Sequence, residues 1–194
     1  KQIIHRWMLM AVFCLGASLI GINAQEKDWA NLQRYAQQNA ELPKPDKNEK
    51  RVVFMGNSIT EGWVNTHPDF FKSNGYIGRG IGGQTSYQFL VRFREDVINL
   101  SPALVVINAA TNDIAENTGA YHEDRTFGNI VSMVELAKAN HIKVILTTTL
   151  PAAAFGWNPA IKDAPQKIAS LNARLKAYAQ TNKIPFVDYY SSMV

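Results

Sequence analysis

Short apolar runs alternate with helical periods along most of this 194-residue chain, and that alternation narrows the possible folds more than any other feature. The runs Arg51 to Met55, Ala103 to Ile107, Val144 to Thr147 and Ile184 to Asp188 are bounded by turn residues. They are apolar on both faces, as buried parallel strands are. A shorter run, Tyr76 to Arg79, brings the expected strands to five. Helical spacing fills the intervals: Phe89, Phe93, Val97 and Leu100; then Phe127, Ile130, Val131, Val134 and Ala137; then Ile168, Leu171, Leu175 and Tyr178. Parallel neighbours need crossover connections, so the pattern predicts a three-layer α/β/α domain around a five-stranded parallel sheet. Ligands of such sheets bind outside the carboxyl ends of the strands, which directs attention to the loops that follow them.

The N-terminal 50 residues are organised differently. Residues 1–24 have a cationic head, an apolar stretch from Trp7 to Ile22, and small or polar residues at Asn23-Ala24-Gln25. That layout predicts a secretory signal peptide cleaved after Ala24, and hence a secreted or periplasmic protein. A membrane anchor is the alternative, but the 16 residues from Trp7 to Ile22 fall short of a full span. Cys14, the only cysteine, lies in this segment without the small-residue run that precedes a lipid-modified cysteine. The mature chain then has no disulfide, no thiol catalysis and no cysteine metal site. Residues 25–50 are expected to form an amphipathic helix over Glu26 to Gln38, with Trp29, Leu32, Tyr35 and Ala36 on one face, and then the charged, Pro-containing linker "ELPKPDKNEKR". The formal charge of +4 falls to +2 without Lys1 and Arg6, which is no nucleic-acid signature, and no stable membrane insertion is expected after cleavage.

Three loops carry residues with chemical potential. After the first strand comes "GNSIT", residues 56 to 60, and Ser58 admits two readings. Ser58 with Glu61 three residues later is a capping box for the next helix; the alternative is a nucleophile at a strand end. Thr60 stands where the α/β-hydrolase elbow has its final Gly, and no Gly-Lys-Ser/Thr follows to make a P-loop. After the second strand comes "GRGIGGQTS", residues 78 to 86. Gly78, Gly80 and Gly83 satisfy G-x-G-x-x-G, yet in the second strand-helix turn and with the nearest acids, Glu95 and Asp96, inside a helix, so the dinucleotide pattern fits poorly. Those glycines serve a tight turn or present bare amides to a ligand. After the third strand, Thr111, Asn112 and Asp113 read as a turn and helix cap, or as the source of an Asn N–H donor. Ser58, Gly83 and Asn112 brought to one sheet edge make a nucleophile with an oxyanion hole. Trp63 follows the first loop, and Phe155 and Trp157 sit in "LPAAAFGWNP" after the fourth strand, so all three aromatics are candidates for substrate contact or for packing under a long loop.

With these motifs in order, the chain from about Arg51 onward resembles the SGNH, or GDSL-type, hydrolase family, and in particular its branch similar to platelet-activating-factor acetylhydrolase. The resemblance implies a flavodoxin-like sheet, no metal and no cofactor, and ester cleavage through an acyl-serine on lipid, carbohydrate or small aryl esters. It matches Ser58 to the nucleophile, Gly83 and Asn112 to the oxyanion donors, and places the Ser58 amide beside them. Ala110 departs from the pattern, since a Gly often stands there in related sequences, and its methyl is expected to crowd the loop. The family's Asp-x-x-His belongs beyond the fifth strand, whereas the sequence runs only to Val194; none of His5, His67, His122 and His141 follows an Asp by three. The 51–194 domain is therefore expected to be C-terminally truncated, with one sheet face partly bare, and this piece nearly inactive although a longer product is an esterase. Aromatic residues on an exported enzyme favour acylated carbohydrate over lipid esters. An inactive carbohydrate-binding module of the same fold is the alternative.

Overall fold

The computed structural model describes residues 28–194; the expected signal peptide, with Cys14, lies outside the described residues. Five strands form one parallel sheet in the order β2-β1-β3-β4-β5: β1 Val52–Gly56, β2 Tyr76–Gly80, β3 Leu104–Ile107, β4 Lys143–Thr147 and β5 Phe186–Val187. This is the doubly wound flavodoxin-like order, with its switch point between β1 and β3. Crossovers run through α2 Ser58–Thr66 and α3 Pro68–Ser73, α4 Ser86–Asp96, α5 Thr111–Ile114 and α6 Glu123–Ala139, and α7 Ala164–Thr181; α1 Ala36–Glu41 precedes the sheet.

The pleat sorts side chains between two unequal faces. Val53, Met55, Val105, Ile107, Val144 and Leu146 point into a core completed by Phe89 and Phe93 of α4, Ile130, Met133 and Val134 of α6, and Ile168, Leu171 and Leu175 of α7. On the opposite face Phe54 packs against Trp63 of α2 and Phe71 of α3. Leu104 and Ile145 on that face are only half-buried, and a largely apolar cavity of about 250 Å³ opens there between Phe54, Ile59, Trp63, Val106 and Leu150.

The N-terminal segment differs from expectation. Where one helix is expected over Glu26 to Gln38, the described part, from Asp28, holds a 3₁₀ turn, Leu32–Arg34, and then α1. Asn31 is left-handed, at φ 55, which no continuous α-helix accommodates, and the Asp28 carboxylate accepts from the amides of Leu32 and Gln33. The same carboxyl is held below its usual pKa chiefly by the Gln33 amide, with that of Leu32 next. The kink presses Tyr35 against the sheet edge, where its hydroxyl donates to the Gly80 carbonyl and the Arg79 guanidinium lies 4.6 Å from its ring centre. β5 is also shorter than the apolar run: Lys183 is left-handed and the Ile184 amide turns back to Ala179, so pairing starts only near Pro185.

One buried cation joins these parts. Arg92 of α4 has no exposed surface. Its guanidinium donates to Asp96 Oδ2 at 2.8 Å, to Gln84 Oε1 at 2.6 Å and to the Gly56 carbonyl at 3.0 Å. Asn39 of α1 donates to the other oxygen of Asp96 and accepts from Arg79. Replacing Arg92 with Met leaves the Asp96 carboxylate buried without its cation. We expect a loss of about 3–5 kcal/mol in urea unfolding, and a fall of roughly 10 °C in melting temperature for a domain of this size.

Candidate active site

The first turn at the carboxyl edge is set by close packing of α2 on the sheet. A Cβ on Gly80, the last residue of β2, would lie 2.3 Å from the Glu61 backbone nitrogen, and one on Gly78 would lie 2.2 Å from Val64 Cγ2. Both glycines therefore serve helix packing from within β2, and the G-x-G-x-x-G pattern is not a phosphate-binding turn. The cap of α2 is Asn57, whose side chain accepts from the Ile59 amide at 3.0 Å. Ser58 is the first helical residue, so the capping-box reading of Ser58 and Glu61 does not hold. Ser58 is exposed, its hydroxyl bonds to no group among the described residues, and its amide has no acceptor there.

Glu61 is turned to a different use. Its Oε2 accepts from the Gly82 amide at 2.8 Å and its Oε1 pairs with Arg34 at 3.0 Å. Gly82 thereby lies against the Asn57–Ser58 turn: a Cβ placed on it would be 3.8 Å from Ser58 Cβ. The next residue, Gly83, has φ +74, the left-handed region that favours glycine, and its amide has no acceptor among the described residues. The far side of the loop is held by the third-strand turn. Asn112, buried, donates from Nδ2 to the Gln84 carbonyl at 2.9 Å. A carboxamide nitrogen has two hydrogens, so one remains for a ligand.

Asp113 anchors the turn that carries Asn112. Its carboxylate accepts from the Ser86 amide at 2.9 Å, from the Ser86 hydroxyl and from Thr126 at 3.2 Å. Burial raises its pKa, opposed by those hydrogen bonds. Ala110, at the entrance to the turn, has φ 82 and ψ −16 and is buried. The departure from Gly is thus felt in the backbone dihedral rather than as crowding alone.

The three aromatic candidates separate. Trp157 is 62% exposed, and its indole N–H donates to Asn117 Oδ1 at 2.9 Å; Asn117 Nδ2 in turn donates to the Gly83 carbonyl at 2.9 Å. Phe155 is 2% exposed beneath Trp157, ring centres 5.2 Å apart, so it supports the rim from below rather than forming it. Trp63 stacks on Phe70, meets Phe54 and Phe71 edge-on, and lines the apolar cavity on that face of the sheet. His67, His122 and His141 are all exposed, and none bonds to Ser58.

Glu61 and Asn117 escaped the sequence reading as members of the site. The S-x-x-E spacing did flag Glu61, for a cap that Asn57 supplies. No local pattern flags Asn117, since its partners are 34 and 40 residues away.

Known proteins share this sequence and fold. The GDSL-like Lipase/Acylhydrolase family matches residues 54–194. A crystal structure of a candidate acylhydrolase from Bacteroides fragilis NCTC 9343 is 99% identical, with a TM-score of 0.87, covering 87% of this chain and 81% of that one. A GDSL-like lipase from Bacteroides thetaiotaomicron VPI-5482 is 78% identical, with a TM-score of 0.84, covering 85% and 80%. Lipoprotein YqeF of Bacillus subtilis (strain 168), itself uncharacterized, is 32% identical over 117 residues, covering 52% of this chain and 48% of that protein. The chain thus spans about half the length of that curated relative. A match that runs from residue 54 to residue 194, most of the sequence, makes this chain a member of the GDSL-like lipase/acylhydrolase family.

Proposed function

We propose that the protein is an extracytoplasmic serine ester hydrolase acting on acylated carbohydrate, with lipid esters as the second substrate class. One observation carries the hydrolase reading: an exposed Ser58 hydroxyl, with no bond among the described residues, stands beside a loop whose Gly83 amide has no acceptor among them and whose next carbonyl is gripped by Asn112. Asn57 already caps that helix, so the Ser58 hydroxyl on its first turn is not needed as the cap.

In this reading Ser58 Oγ attacks the ester carbonyl and gives its proton to a base. The electron pair of the carbonyl moves onto oxygen, which the amides of Ser58 and Gly83 and the free hydrogen of Asn112 Nδ2 receive. Collapse expels the alcohol and leaves an acyl-serine, which water clears with the same base. An imidazole is the expected base, because a serine hydroxyl is otherwise a poor nucleophile. The three described histidines make no bond to Ser58, so that role falls to none of them as placed.

The carbohydrate preference rests on Trp157. Its exposed indole plane is held by a hydrogen bond on the loop that adjoins Gly83, and a flat aromatic surface suits the apolar face of a sugar ring. Export is supported by the signal-like residues 1–24 and by the likeness to a lipoprotein. The motif set favours the platelet-activating-factor acetylhydrolase-like branch.

Three variants of the whole protein test the assignment against p-nitrophenyl acetate and an acetylated oligosaccharide. Ser58→Ala is expected to lower hydrolysis at least about 10³-fold with little change in melting temperature. Asn57→Ala is expected to do the reverse in stability, costing about 1 kcal/mol as a lost cap. Asn112→Ala is expected to reduce kcat by about 10²–10³. Hydrolysis that survives Ser58→Ala unchanged would exclude the mechanism.

A further inference from the structure

The Gly82–Gly83 peptide has a problem that its own residues cannot solve. Two adjacent glycines lack Cβ atoms, so the peptide plane between them rotates with little steric resistance, and the Gly83 N–H rotates with it. An oxyanion donor has to point one way before the substrate arrives, because its value lies in being preorganised. Something outside the glycines must therefore hold this peptide.

Side chains do so from both ends. On the N-terminal side Glu61 Oε2 accepts from the Gly82 amide at 2.8 Å. On the C-terminal side Asn117 Nδ2 donates to the Gly83 carbonyl at 2.9 Å. The peptide between these two anchors is the one whose N–H faces no acceptor among the described residues. Each anchor is itself held: Glu61 by Arg34 at 3.0 Å, and Asn117 by the Trp157 indole at 2.9 Å. The four residues come from four separate stretches of chain, and Arg34 precedes the region that the family profile covers.

We propose that Glu61 and Asn117 are positioning residues that clamp the Gly82–Gly83 peptide, with Arg34 neutralising the Glu61 carboxylate and Trp157 fixing the Asn117 carboxamide. The role of Arg34 follows from charge. An uncompensated carboxylate beside Gly82, the residue against Ser58, would repel the oxyanion that develops there. The role of Trp157 follows from the chemistry of Asn117. With Oδ1 occupied by an indole donor, the amide must present nitrogen to Gly83, so a flipped carboxamide is excluded. A sugar ring resting on Trp157 would then bear on the residue that orients the donor, linking substrate contact to the hole.

The catalytic consequence rests on the hydrolase reading above; the clamp itself does not, and the experiment separates them. Amide ¹⁵N relaxation of Gly83 is measured in the wild type and in Glu61→Ala, Asn117→Ala and the double variant, alongside kcat and KM for p-nitrophenyl acetate. We expect an ordered Gly83 amide in the wild type and exchange broadening in the variants, each single change lowering kcat roughly tenfold or more with KM nearly constant. Glu61→Gln keeps an acceptor for Gly82 and is expected to retain order. Asn117→Asp keeps the acceptor for Trp157 but has no donor for Gly83 and is expected to behave like the Ala variant. Arg34→Ala is expected to lower kcat several-fold, on the order of what a partly screened charge supplies, and the loss should vanish in a Glu61→Gln background. A Gly83 amide that stays ordered in the double variant overturns the clamp. Loosening of Gly83 in a protein whose wild type hydrolyses no ester upholds the clamp and defeats the hydrolase reading.

Discussion

The carboxyl edge of the sheet depends on a single buried guanidinium. Arg92 reaches from α4 under two loops at once, taking the Gly56 carbonyl just before the Asn57–Ser58 turn and the Gln84 side chain just after the glycines. A cation in that position is tolerated only because Asp96, one helical turn along, supplies the counter-charge and Asn39 occupies the remaining carboxylate oxygen. Gln84 then passes the constraint outward, donating to the Ala30 carbonyl and so tying the N-terminal segment to the same centre. No apolar substitute of similar volume could bond these carbonyl and carboxamide oxygens, because they need donors and not merely filling.

The parts legible in the sequence are those where a period repeats. Runs such as Val52 to Met55 and Val105 to Ile107, apolar on both faces, and the 3.6-residue spacing of Ile168, Leu171 and Leu175 led to the parallel sheet and its covering helices. Single residues defeated the same approach where one dihedral or one side chain decided the outcome. Asn31 at φ 55 broke what read as a continuous amphipathic helix, and Lys183 at φ 53 shortened the last strand. Trp63, five residues along α2 from Ser58, packs among Phe54, Phe70 and Phe71 and lines the apolar cavity there, an environment that its closeness to Ser58 in sequence does not reveal.

Ala110 shows how a local mismatch is absorbed. A left-handed conformation costs a non-glycine residue about 1–2 kcal/mol, and φ 82 incurs that cost here. Its methyl is buried, which returns about 0.8 kcal/mol. Burial thus offsets part of the strain, and the surrounding packing holds the turn that carries Asn112 without glycine. The Asp113 carboxylate then fixes that turn to α4 and α6 through Ser86 and Thr126.

Access and rigidity make opposite demands on the loop at the centre of the site. In the proposed hydrolase a bare amide needs glycine, so that no side chain stands between the N–H and an incoming oxygen, and glycine gives up the rotational restraint that orients an amide. The fold answers by importing restraint from outside the loop. Asn112 holds the Gln84 carbonyl, Asn117 the Gly83 carbonyl and Glu61 the Gly82 amide, so three consecutive residues are gripped while the Gly83 N–H has no acceptor among the described residues. Those grips come from α5, from the turn after it and from α2, which only the parallel doubly wound order brings to one edge. This is why the site could be suspected from glycines and a serine, while the side chains that hold the loop emerged only from the assembled fold.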